Sequence, residues 1–558
     1  MLLAHRTAWA GVWMCAASLT CCPDLVLAGT ASCHTHTAVA GDTLIALSQR
    51  YLAQPQHWQV LAHVNHVPNP RRIPIGTALC IPVEQMKATP RPGVVLEVVG
   101  QATAQQDSRA GLATVPQEVR KGDAVPPGMT LRTSPNGYVT VQLADGSILK
   151  IQADTQARLD SSQHYEEAGF YASVWSVLRG RVESLVTHLT GGQPRYQIKT
   201  PQAVLGVRGT TFRVASDARR TLGETLTGTV AVSSGKQAAL LGAGQGTVAV
   251  GGSQVAPPVP LPSAPDLTPL PALFERPLLR MDLPTAPGAT SYRLQIAEDA
   301  DFRRVRAELT DTQPRFRVSE LPDGVYFLRM RVANAQGLEG QDAQATFQLK
   351  ARPEPPIPTA PGHQAKLRAR EATLNWTSHP QATRYRLQIA RDADFKQLVV
   401  EHADIRDTQL IAPLPAGDYF WRIATTASTS TGTPDPGPWG DAQALMMREP
   451  PAQPPPPKLT PDTLQFTLQA EPGQRFEFQM ARDDGFADLI KAVSSDSPEV
   501  SLPRPAEGGR LYVRYRAIDP DGFVGPYTSP QLVLLPSCVR SGNGTCVRGS
   551  ERFVTSQP

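Results

Sequence analysis

The sequence predicts a mainly β, multidomain protein: a small β-α-α-β domain, a larger β domain, then three tandem β-sandwiches. Three observations carry this. Residues 200–214 place Val204, Leu205 and Val207 before Gly209, then Phe212 and Val214 on one face of a second β-rich run. Three stretches of strict two-residue alternation begin at Tyr292, Tyr385 and Phe476, about 92 residues apart. Near the N-terminus, Leu44, Leu47, Ser48 and Tyr51 follow helical spacing between two short β-like runs.

In chain order, residues 1–28 read as an export signal. Arg6 supplies the positive start, and 10–22 is an apolar run shorter than the ~20 residues of a membrane span. Val26-Leu27-Ala28 offers small residues for cleavage. Lipid anchoring at Cys21 or Cys22 is the competing expectation, although Ser18-Leu19-Thr20 fits a lipidation box badly. No later segment is apolar enough for a transmembrane helix. After export Cys33, Cys80, Cys538 and Cys546 remain, an even number consistent with disulfides. Cys33 and Cys80 bracket the first compact segment, and Cys538 and Cys546 close a short loop in the tail 536–558. On a loop-entropy basis the two bridges contribute about 4 and about 2.5 kcal/mol.

Within 33–83, Thr37-Ala38-Val39 reads as a strand and Gly41-Asp42-Thr43-Leu44 as a capped turn into the first helix. A second helix is expected over 56–64, with Trp58, Leu61 and Ala62 inward, and a closing strand over 75–82. The turn, Leu47, Tyr51, Trp58, Leu61, Asn65, Gly76, Leu79, Ile81 and Pro82 together resemble a LysM domain. The resemblance implies binding of N-acetylglucosamine-containing glycan such as peptidoglycan, in a groove between the first turn and the loop before the last strand. It implies Gly41, Asp42, Thr43, Leu44, Asn65, Pro70 and Ile73 as glycan-binding residues. It also sets the expectation that Cys33 pairs with Cys80, since the first and last strands meet. His34, His36, His63 and His66 read as surface histidines and not as a metal set, because no acidic ligand stands beside them.

A short linker at 88–92 leads to the middle domain, 93–252. Val139, Val141 and Leu143 alternate with polar residues up to Asp145-Gly146, the dipeptide of two-residue hairpin turns, and 148–151 returns. This hairpin, Gly180-Arg181-Val182 and the segment from Thr200-Pro201 to Arg208-Gly209-Thr210 and Phe212 resemble a FecR domain over about 118–250. The resemblance implies a periplasmic β module and no catalytic residue. Glycine-rich 242–246 precedes a strand-like run, so it reads as a β-turn and not as a phosphate loop.

The repeats span 266–350, 357–447 and 458–535. Tyr292-Arg293-Leu294-Gln295 returns as Tyr385-Arg386-Leu387-Gln388 and as Phe476-Glu477-Phe478-Gln479. Each is followed by an aspartate-rich turn starting at Asp299, Asp392 or Asp483, read as turn capping ahead of calcium binding. Their length and alternation, with Trp376 and Trp421 at core positions, resemble fibronectin type III domains. Proline runs at 352–361 and 449–461 read as separators, and the second as a semi-rigid spacer between independent cores.

Composition excludes some functions. A net charge of +4 on 558 residues gives no field for nucleic acid. No nucleophile elbow and no His-Glu-x-x-His occurs, and no cofactor is expected. The sequence therefore points to an exported, non-catalytic peptidoglycan-binding scaffold or sensor in the cell envelope. Its FecR-like and fibronectin III-like modules would face envelope protein partners. The alternatives are a FecR-type regulator of envelope signalling and a surface adhesin.

Overall fold

The structure is a computed structural model that describes residues 33–106, 115–187, 196–207, 209–251, 254–460, 462–505, 508–536, 539–540 and 546–547. The expected export signal with Cys21 and Cys22, Arg208, Cys538 and the side chain of Cys546 lie outside the described residues, so the second expected bridge does as well. The chain divides into two units, one holding Leu278–Gln348 with the described residues up to Ala272, the other Leu273–Pro277 with the described residues from Leu349 on.

In the first unit, β1 (Cys33–Thr37) pairs antiparallel with β2 (Ala78–Pro82), and Cys33 is disulfide-bonded to Cys80. The first strand thus lies earlier than 37–39. Between the strands run α1 (Leu44–Tyr51) and α2 (Trp58–Val64), the latter preceded by a 3-10 turn at Pro55–His57. Leu44, Leu47, Ser48 and Tyr51 are all buried, as their spacing predicts. On α2 only Leu61 is fully buried, with Trp58 and Ala62 packed at the margin.

The apolar core of this small domain does not close on itself. Tyr165 and Phe170, at the tip of a hairpin from the middle domain, complete it beside Tyr51, Leu52 and Met86. Arg50 reaches Glu167 at 3.3 Å across the same contact. The expected linker is itself part of the structure: Thr89–Pro90 pairs with Gln163 and His164.

The middle domain is organised by one long strand, Phe170–Leu185, which belongs to two sheets. Its first half pairs with Gln156–Tyr165 and, in parallel, with Tyr196–Lys199. Its second half pairs antiparallel with Ile148–Ile151 and with Thr211–Ser216. The change of sheet falls at Gly180, where φ is +101° and a Cβ would lie 2.3 Å from Thr155 Oγ1; glycine alone tolerates both conditions. Trp175, Leu149, Leu205, Phe212 and Val214 fill the space between the sheets. Tyr138–Gln142 pairs with Ile148–Ile151 as expected. Leu143 N–H donates to Ser147 and Gly146 takes φ +84°, however, so the turn has three residues where Asp145-Gly146 suggested two. Residues 242–246 turn into the strand Gln245–Val250, as read.

Each of the three C-terminal repeats is a two-sheet sandwich. In the first, Ser291–Ala297 lies between Val305–Asp311 and Gly324–Ala333, while Leu279–Asp282 pairs with Arg315–Val318. The second and third repeat this plan around Arg384–Ala390 and Arg475–Ala481. Trp376 and Trp421 are buried in the second core. The aspartate turns are caps: Asp299 accepts from the amides of Arg303 and Arg304, Asp392 from Lys396 and Gln397, and Asp483 from Ala487 and Asp488.

The proline runs are not free spacers. Pro358–Ala360 is a strand of the second sandwich, paired with Asn375 and Trp376. In the second run, Tyr515 Oη donates to the Ala452 carbonyl at 2.8 Å. Lys366 and Arg368 of the second sandwich bind Asp519 of the third at 3.0 and 2.9 Å.

Candidate functional site

In the N-terminal domain the two segments expected to frame a groove are joined directly: Leu44 N–H donates to the Pro70 carbonyl at 2.9 Å. Gly41, at φ +92°, makes the turn. Thr43 is the N-cap, its Oγ1 accepting from Ala46 N at 3.1 Å. Asp42 is turned inward, where Oδ2 accepts from His36 Nε2 and Val39 N, both at 2.8 Å, and these bonds lower its carboxyl pKa.

The remaining expected site residues divide by role. Leu44 is fully buried and supports the turn from below. Asn65 spends its whole side-chain amide on the backbone: Nδ2 donates to Leu61 and Cys80 carbonyls, and Oδ1 accepts from Cys80 N at 2.6 Å. It ties α2 to β2. Gly41, Thr43, Pro70 and Ile73 remain accessible at the surface between the two segments. Sequence reasoning missed two flanking apolar side chains, Val39 and Ile75, which are 58% and 73% exposed. It also misread His36, which is no surface histidine: its ring bridges Asp42 and the Tyr51 hydroxyl.

A second constellation covers one sheet of the middle domain. Lys150, Glu183, Arg213 and Glu224 stand directly opposite one another across four neighbouring strands, a row of alternating charge. The first sandwich lays the polar face of its own sheet over that row. Arg329 Nη2 meets Glu183 at 3.0 Å, Arg213 Nη2 meets Asp342 at 2.8 Å, and Glu224 accepts from the Glu339 amide at 2.6 Å. Glu339 in turn holds Arg293 at 2.7 Å and Arg181 at 2.9 Å. Apolar contacts flank the layer, Tyr138 with Phe302 and Val305 on one side, Leu222 and Leu261 with Leu338 on the other. Each charge occupies one outward position of an alternating strand, so nothing in the local sequence marks it as buried.

Electrostatics within the layer is uneven. Burial pushes the carboxyls of Glu183 and Glu339 up, but the surrounding arginines outweigh it and hold both well below the usual range. Glu224 has a weaker cationic surround. Burial, with Glu339 adding, pushes it up to about 7 against the pull of Arg213 and Arg181.

The LysM domain family matches residues 36–82, and the FecR protein family matches residues 129–231. The chain carries a LysM domain and a FecR domain. No curated protein matches the chain. Among solved structures, a candidate anti-sigma factor from Parabacteroides distasonis aligns at 17% identity and TM-score 0.20, over 24% of this chain and 59% of that one. The FN1–FN3 domains of chicken CNTN1 align at 14% identity and TM-score 0.19, over 49% of this chain and 98% of that one. Such scores carry no functional weight, and the assignment of the sandwiches rests on their strand pairing.

Proposed function

We propose that the protein is an exported, non-catalytic envelope scaffold whose LysM domain binds the N-acetylglucosamine backbone of peptidoglycan. The observation that carries this is the Leu44–Pro70 hydrogen bond, which sets the 41–44 turn and the 65–73 loop side by side within a LysM domain. Gly41, Thr43, Pro70 and Ile73 form the contact surface; Asp42, Leu44 and Asn65 hold its shape. The Cys33–Cys80 bridge supports an oxidising, extracytoplasmic setting. Support for a non-catalytic role comes from the buried acids and bases of the charge layer: Glu183, Arg213, Arg329 and Asp342 pair with one another under the first sandwich. The FecR domain and sandwiches are the surfaces offered to envelope partners.

The test is co-sedimentation of the full chain with purified sacculi, competed by soluble N-acetylglucosamine oligomers. Ile73→Glu is expected to reduce binding at least tenfold with the disulfide and circular dichroism unchanged. Undiminished binding by that variant would remove the groove from the account.

A further inference from the structure

The rim of the proposed groove is charged on one side only. Asn69 organises a tight turn, its Oδ1 accepting from Arg71 N at 3.0 Å and its carbonyl from Arg72 N at 3.1 Å. That turn displays Arg71 and Arg72, both exposed, between Pro70 and Ile73. Neither guanidinium has an ion-pair partner among the described residues. The nearest acid in sequence across the groove, Asp42, does not answer them, because its carboxylate is already held by His36 and Val39 N and its side chain is 16% exposed. Two adjacent cations thus precede the half-buried Ile73, whose chain runs on to the exposed Ile75, and Val39 is exposed at the first turn.

Resting on the glycan reading above, we propose that this LysM domain selects carboxylate-bearing N-acetylglucosamine polymers over neutral ones, with Arg71 and Arg72 as the specificity-determining residues. The sugar faces lie on the apolar surface and the guanidiniums take carboxylates, to which their planar forks are matched. Peptidoglycan has two sources of that group, the stem peptides and the lactyl ether freed when the peptide is removed. Neutral chitin has neither. Exposed pairs of this kind are modest and salt-sensitive, so the effect should be a preference and not an absolute requirement.

The experiment measures binding of the full chain to four polymers at low salt: intact sacculi, sacculi stripped of stem peptides by an amidase, sacculi whose carboxylates are amidated by carbodiimide, and chitin oligomers. Arg71→Gln/Arg72→Gln is compared with wild type, and Arg71→Glu/Arg72→Glu serves as a second variant. The expected result is a five- to tenfold loss by the glutamine variant on intact sacculi, on the order of two exposed ion pairs. A larger loss is expected for the glutamate variant, with no change for either on chitin. Wild type should bind amidated sacculi no better than the glutamine variant binds intact ones. Its advantage should vanish at ~1 M salt, where the Debye length is about 3 Å. If stripped strands retain the difference, the lactyl carboxylate is the partner; if they lose it, the stem peptide is. Equal binding of wild type and both variants to intact sacculi, with chitin binding retained, overturns the preference alone. Failure of wild type to bind any of the four overturns the glycan reading with it.

Discussion

At the scale of single residues, Glu224 has the clearest consequence. Its folded pKa is raised from 4.5 to about 7, so between those values the folded protein holds a proton that the unfolded chain has released. That proton favours the folded state, and its contribution declines as pH rises through about 7. Glu183 and Glu339 act in the opposite sense: held low by arginines, they stabilise above the ordinary carboxylate range and lose that contribution as pH falls through their folded values. Glu224→Gln keeps an oxygen to accept from the Glu339 amide but can never become charged. Thermal unfolding should therefore show its advantage over wild type growing as pH rises from 5.5 to 8, by about 2–4 °C, and levelling off above about 7. An identical shift at both pH values would mean that the proton on Glu224 is irrelevant.

Among the elements, the three sandwiches share a face but finish it differently. Gly340-Gln341-Asp342, Gly437-Pro438-Trp439 and Gly525-Pro526-Tyr527 are equivalent triples; in the first two, a Cβ on the glycine would meet a proline carbonyl at 2.3 and 2.0 Å. In the second sandwich Trp439 covers the guanidiniums of Arg386 and Arg422, each 4.7 Å from its ring centroid. In the third, Tyr527 covers Arg514 and Arg516 at 4.3 and 4.6 Å. The first sandwich has Asp342 there, and instead of an aromatic lid it receives Arg213 from the FecR domain. An aromatic closes the ladder within a domain, whereas a carboxylate opens it to a neighbour. Asp342→Tyr should supply the lid and remove the closest acid from Arg213, which keeps Glu183, Glu224 and the Gly340 carbonyl, a change that costs about 1.5–3 kcal/mol at the contact. Small-angle scattering of this variant is expected to show a larger radius of gyration, with far-ultraviolet circular dichroism unchanged. An unaltered radius would count against the charge layer as what fastens these two domains.

For the whole molecule, the division into units sets what can be removed. The LysM core is completed by Tyr165 and Phe170, and the FecR domain is fastened to the first sandwich, so these three domains form one compact unit. Cutting the chain after Arg352 should leave sacculus binding within about twofold of the full chain, since every residue of the proposed groove and its support is retained. A fragment ending near Lys87 should behave worse, because it exposes the face of Tyr51 and Leu52 that the hairpin tip covers. Sedimentation of both fragments with sacculi, alongside their thermal unfolding, checks the pair. Loss of binding by the longer fragment while it stays folded would show that the second unit takes part in the glycan site.

Local pattern was enough for much of this protein. Helical spacing at Leu44, Leu47, Ser48 and Tyr51, two-residue alternation at Tyr292, Tyr385 and Phe476, and the glycine and aspartate turns each report a backbone choice made by near neighbours; the Cys33–Cys80 pair followed once the β-α-α-β order and its resemblance brought the first and last strands together. What tertiary structure alone decided is which polar positions are surface. Glu183, Arg213, Glu224 and Arg331 occupy the outward side of their strands, which alternation labels as solvent-facing, and each is buried because the FecR domain and the first sandwich pack these two faces together. The same holds for Asn65, whose amide reads as a ligand group until β2 brings the Cys80 backbone to it. A residue's near neighbours determine the direction of its side chain, but its partner, and therefore its burial, pKa and role, comes from distant chain brought close by packing.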